Sequence, residues 1–125
     1  MKEVQITKKT EPVLPPIRAK YCDTFLCRLQ GFMFRKQIGA GEGLLLVGNQ
    51  ESRLDSAIHM LGVPIDLAVF WMDNDQRIVD RRLARKWRPL YVPRAPARYV
   101  LELSPVRYDD FIVGETLDFE EISSR

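Results

Sequence analysis

Leu67-Ala68-Val69-Phe70-Trp71-Met72, followed at once by Asp73-Asn74-Asp75-Gln76, is the stretch that decides how this chain folds. A short apolar run bounded by turn formers reads as a strand buried on both faces. Side chains of the Asp/Asn type bond their own backbone and bend it, so the run from Arg77 to Ala84 should return antiparallel. Within it Val79 and Leu83 fall on one face and Asp80 and Arg82 on the other, the pattern of a strand with one wet side.

Reading outward from that hairpin, the other segments agree. Gly43-Leu44-Leu45-Leu46-Val47 is a second short apolar run. Pro89, Pro93 and Pro96 make Arg88 to Ala97 an extended loop, because proline cannot donate to a central ladder. Tyr99, Leu101 and Leu103 then alternate with Val100 and Glu102, a strand signal. Gly114 predicts a turn into a last strand through Leu117 and Phe119. Near the start, Asp23 predicts a helix cap, Phe25, Leu26, Leu29 and Met33 recur at helical spacing, and Gly31 is the stop. That helix is expected to pack its Phe25/Leu29 face on the sheet. Residues 1–12 read as a polar arm or edge strand and residues 13–125 as one β-rich domain. The fold class is mostly β, a compact single-domain β-barrel or sandwich with one short N-terminal helix.

A chain of 125 residues with 46% hydrophobic and 29% charged content can form one core without metal or disulfide help. The net charge of +2 does not by itself indicate a polyanionic partner. Its distribution is uneven. Arg77 to Arg98 holds seven Arg and one Lys against Asp80, and from Glu102 onward seven acids face Arg107 and Arg125. The first twenty residues contain no apolar run of signal-peptide length, and no stretch reaches the ~20 apolar residues that span a bilayer. A cytoplasmic, soluble protein with no membrane partner is therefore expected. Cys22 and Cys27 fit neither a redox pair nor a zinc knuckle and read as free thiols.

No segment assembles a nucleophile, a metal cage or a phosphate cradle. Gly39-Ala40-Gly41-Glu42-Gly43 precedes a strand instead of opening a helix, and Glu42 would repel a phosphate, so it reads as a flexible connection. His59, the lone histidine, would share a strand face with Ala57 and Leu61. To act as an acid or base it would need an orienting carboxylate, Asp66 or Glu102. No cofactor and no metal are expected. Asp66, before the buried strand, and Glu102, inside another, are carboxylates that must be paired or bonded. Arg35 is the expected partner of Asp66. Arg81, Arg82, Arg85, Lys86 and Arg88, with Trp87 and Tyr91 interleaved, allow a minority reading as a nucleic-acid stripe, although no nucleic-acid motif is present.

Several blocks, taken in order, resemble the family known as domain of unknown function 192. Gly31-Phe32-Met33-Phe34-Arg35 is similar to its Gly-Leu-Met-Phe-Arg block, and Gly43-Leu44-Leu45-Leu46 to its Gly-Met-Leu-Phe block. Pro64 and Asp66 match a Pro-x-Asp, Val100-Leu101-Glu102-Leu103 a Val-Leu-Glu-Leu strand, and Val113-Gly114-Glu115 a closing Val-Gly-Asp. The likeness covers about residues 18 to 119. It departs where the family has a Trp-Met-Lys-Asn-Thr-like run, here Ala57, Ile58, His59, Met60 and Leu61. The resemblance implies a small, mostly β fold with one short helix, and brings no activity or cofactor.

The sequence thus leads to a non-catalytic domain that binds a small ligand or a protein partner through a polar patch of Arg35, His59, Asp66 and Glu102. The rivals are a small enzyme using Asp66 or Glu102 with His59, and nucleic-acid binding through Arg77–Arg98.

Overall fold

A computed structural model describes residues 2–122. Arg125, counted in the acidic stretch above, lies outside them. Seven strands form one sheet: β1 (Glu3–Lys8), β2 (Ile17–Cys22), β3 (Glu42–Ser52), β4 (Leu67–Met72), β5 (Ile78–Ala84), β6 (Ala97–Leu103) and β7 (Leu117–Ile122). Their order is β5-β4-β6-β3-β2-β1-β7. All pairings are antiparallel except β2 with β3. Helix α1 (Phe25–Gln30) and a 3₁₀ segment, Pro105–Asp110, complete the regular elements.

The mostly β expectation holds, but the sheet is not closed into a barrel. Its outer strands meet only at one corner. There Ile78 N donates to Glu115 O at 2.8 Å and Leu117 N to Gln76 O at 3.0 Å, around an isolated bridge between Arg77 and Thr116. The first strand is no edge or arm, because β1 pairs with β2 on one side and β7 on the other.

The alternation of side chains across the pleat builds two cores. One face contributes Ile6, Ile17, Leu45, Phe70, Leu101, Leu103 and Leu117, packed with Phe111 inside the curl of the sheet. The other contributes Leu44, Leu46, Leu67, Val69, Trp71 and Val100, covered by Phe32, Ile58, Met60 and Val63 from the connections. β4 is buried throughout for this reason, and each of its large side chains contributes about 1.5–3 kcal/mol by leaving water. The Trp71 indole N–H, which needs an acceptor once buried, donates to Ser56 O at 2.7 Å. That bond anchors the long β3–β4 connection on the second face.

The β4–β5 hairpin forms as the sequence predicts, with Asp73 Oδ1 accepting from the amides of Asp75 and Arg77. The wet face assigned to β5 does not. Asp80 is 1% exposed, accepts from the Arg81 and Arg94 amides, and lies within 4 Å of the Arg82 and Arg94 guanidiniums. A register shift between Trp71 and Met72 changes the phase of β5, and the proline loop folds back over it.

Helix α1 is capped by Thr24, one residue after the expected Asp23, whose hydroxyl accepts from Cys27 N. It ends at Gly31 as predicted, with the Gly31 amide donating to Cys27 O. Its apolar face does not pack on the sheet: none of its residues is buried, and Phe25 is 74% exposed. A Cys22–Cys27 disulfide ties the start of this short helix to β2. The free-thiol expectation is overturned because the β2-to-α1 bend brings the two Cα atoms to 5.6 Å, within bridging range.

Candidate functional site

The second face of the sheet carries a concave pocket that opens to solvent at its mouth. Its floor comes from alternate residues of two paired strands. On β6 these are Arg98, Val100 and Glu102, and on β3 Leu46 and Gly48. Ser56 to Met60 form one wall and Arg28 to Phe32, at the end of α1, the other.

Glu102 is the chemically distinctive group. It is 4% exposed and sits between Leu44 on β3 and Val69 on β4 in the strand register. Among the described residues nothing donates to its carboxyl and no cation pairs with it. Burial alone pushes its pKa up to about 7. Gly31 lies over it, so that a β-carbon there would stand 3.6 Å from Oε1.

His59 reaches the same cavity from the β3–β4 connection. The alternation from Ser56 to Leu61 does leave His59 on the less buried side with Ala57 and Leu61, although only Ile58 makes a β-bridge, with Tyr91. Its Nε2 lies 2.9 Å from Leu29 O, and since a carbonyl oxygen can only accept, Nε2 carries the hydrogen. Nδ1 is buried and has no hydrogen-bond partner among the described residues. The ring ties the α1 end to the opposite wall. It bonds no carboxylate, so the acid–base pair required by the enzyme reading is not formed.

The other two members of the predicted patch lie elsewhere. Arg35 pairs with Glu42 at 2.7 Å and donates to Gln37 O. Burial works to raise the Glu42 pKa, but the Arg35 contact and the Gly39 amide outweigh it and leave it lowered. Both line a separate hollow that meets the first along Gln30, Gly31 and Phe32. Asp66 bonds Arg85 at 3.3 Å and the Lys86 amide at 2.8 Å, not Arg35. The reason is topological: the β4–β5 pairing sets Leu67 opposite Ala84, which brings Arg85 beside Asp66.

The basic segment is likewise drawn into local contacts. Arg81 donates to Tyr108 O and Phe111 O and stacks over the Tyr108 ring, Arg82 faces Asp80, and Arg88 stacks on Tyr91. No group of three or more His, Cys, Asp or Glu among the described residues could hold a metal ion. No helix among the described residues is long and apolar enough to cross a membrane.

Sequence reasoning missed Arg28, Arg98 and Arg107. The Arg98/Val100/Glu102 periodicity was the available signal for Arg98. Arg28 Nη1 comes within 3.8 Å of a β-carbon built on Gly48, whose carbonyl accepts from Arg98 Nε at 3.1 Å. Arg107, 2% exposed, clasps Pro15 O and Ala40 O far from the cavity.

With fold and cavity described, the comparisons decide the family. The model of DUF192, described as uncharacterized ACR, matches residues 4–118. The chain belongs to the DUF192 family. Among DUF192 relatives, the UPF0127 protein TK1120 of Thermococcus kodakarensis is 39% identical over 85 residues, which is 68% of this chain and 52% of that protein. The UPF0127 protein of Thermococcus gammatolerans is 39% identical over 99 residues, 79% of this chain and 59% of the relative. This DUF192 chain thus spans little more than half the length of these two curated relatives. A protein of unknown function from Novosphingobium aromaticivorans shares the fold with TM-score 0.77 at 19% identity, covering 93% of this chain and 83% of that one. A putative transcription regulator from Sinorhizobium meliloti does so with TM-score 0.79 at 20% identity, covering 94% and 92%. At such identities the likeness concerns the fold alone. Of the five residues from Ala57 to Leu61 that the sequence reading set apart from the family pattern, the first four line a wall of the cavity.

Proposed function

We propose that this protein is a non-catalytic binding domain whose ligand is a small molecule seated in the Glu102 cavity. The observation that carries this reading is a carboxyl that is 4% exposed, faces a cavity and has no protein partner. An isolated buried carboxyl costs several kcal/mol that a partner would offset. Elsewhere the fold supplies such partners, as at Asp80 and Asp66. Here the free hydrogen-bonding capacity faces a concave, half-apolar space, the usual character of a ligand site. The absence of a carboxylate on His59 favours binding over catalysis.

A thermal-shift screen of small metabolites on the wild type and on Ala57→Trp tests this. A ligand specific to the native form raises the melting temperature by mass action. Ala57 lines the wall without being fully buried, so an indole there should block the mouth and remove the shift while leaving the unliganded melting temperature close to wild type. A screen in which no compound shifts the wild type, or in which Ala57→Trp responds equally, sinks the proposal.

A further inference from the structure

The polarity of the cavity floor runs in a fixed order. Along β6 the lining residues are Arg98, then Val100, then Glu102, at every second position of one strand. On the neighbouring strand Leu46 lies opposite Val100, and Gly48 accepts from Arg98. The floor therefore presents a cation, an apolar middle and a carboxyl in a line. Four residues of strand set the two ends roughly 13 Å apart at the Cα atoms, and the long Arg and Glu side chains shorten that gap.

Both ends have unused capacity. No acid lies within salt-bridge distance of Arg28 or Arg98 among the described residues. The two guanidiniums approach Gly48; Arg98 donates through Nε to the Gly48 carbonyl and lies 5.3 Å from the Tyr99 ring centroid, which leaves its Nη groups without a hydrogen bond among the described residues. At the other end the carboxyl of Glu102 is unpartnered. The remaining ionisable groups around the cavity are Asp55 and His59. Asp55 uses only its amide, bonded to Ser52, and His59 is held on Leu29 O. A cation alone would meet two arginines, and an anion alone would leave the carboxyl unmatched.

From this we infer that the cavity takes a small zwitterion, with an anionic group held by Arg28 and Arg98, an apolar spacer over Val100 and Leu46, and an amine against Glu102. The inference rests on the reading of the cavity as a ligand site and adds the class of ligand.

Four probes with the same six-carbon chain isolate the end groups: ω-aminohexanoate, hexylamine, hexanoate and hexanol. Each is titrated calorimetrically into the wild type, Glu102→Gln and Arg98→Gln, with circular dichroism confirming that the variants are folded. The expected result is that ω-aminohexanoate binds the wild type at least about tenfold tighter than either singly charged probe, and hexanol most weakly. Glu102→Gln should remove the advantage over hexanoate, and Arg98→Gln the advantage over hexylamine. If the four probes bind alike, or either variant keeps the full preference, the zwitterion assignment is overturned while the cavity stands as a binding site. If none binds, the zwitterion assignment falls, and the metabolite screen decides separately whether the cavity is a binding site. Should a variant lose its fold, the wild-type ranking of the four probes decides the matter by itself.

Discussion

Gly31 lies over Glu102, its backbone at φ 46°, ψ −125°, so that a β-carbon would stand 3.6 Å from the carboxyl Oε1. The end of α1 is thereby pressed onto the only buried carboxyl of β6. That contact distance is ordinary, whereas the backbone geometry is one that L-residues rarely adopt. Gly31→Ala should therefore lose about 1–3 kcal/mol through the backbone and not through a clash. Urea unfolding reads this directly, and an unchanged midpoint would mean that the segment relaxes freely.

Glu102 makes stability depend on pH in a defined direction. Its folded-state pKa of about 7 exceeds the ordinary 4.5, so between those values the native state holds more protons than the unfolded chain. Its contribution is intact below the lower value and is lost as the pH rises through the upper one, by about 2–4 kcal/mol in all. Wild-type urea midpoints should fall as the pH rises from about 4.5 to about 7 and level off above that. Glu102→Gln should flatten that slope and be the more stable form at the alkaline end. A slope that survives undiminished in Glu102→Gln would assign the effect elsewhere.

The Cys22–Cys27 bridge replaces the packing that α1 lacks. It closes a loop with a sequence separation of 5, for which loop-closure entropy gives about 2 kcal/mol. Cys27→Ser is expected to lower stability by up to that amount and to speed amide exchange in Phe25–Gln30 more than in β3. Equal protection of α1 with and without the bridge would show that the His59 bond to Leu29 O suffices to hold it.

Arg107 joins the 3₁₀ segment to two distant loops. Its Nη1 donates to Pro15 O and Ala40 O, and Nε to Asp110. Arg107→Ala leaves those part-buried carbonyls without their donor and empties the site of a buried guanidinium, which should cost about 1–3 kcal/mol. Arg107→Lys should restore only part, since an ammonium lacks the planar fork. Full recovery with lysine would contradict the clasp.

The strands were legible because their signals are local. Leu67–Met72 and its acidic turn, Tyr99–Leu103, and Gly114 before Leu117 each fix a pleat or a bend through neighbouring residues alone. The same locality explains the failures. The spacing of Phe25 and Leu29 describes a helix, but says nothing about whether a partner surface exists, and none does. Asp80 reads as solvent-facing until a register shift and the returning proline loop bury it.

By itself, then, the chain determined a mostly β architecture, the Gly31 stop and the suspicion attached to Glu102, since a charge inside an apolar alternation is visible in one dimension. Which charges meet was decided only in three dimensions. Arg35 went to Glu42 and Asp66 to Arg85, and of the two carboxylates in the predicted patch Glu102 kept its carboxyl free above an open space. Pairing energy depends on a few ångströms of separation and on what water can reach, and both are properties of the packed sheet, not of the order of residues.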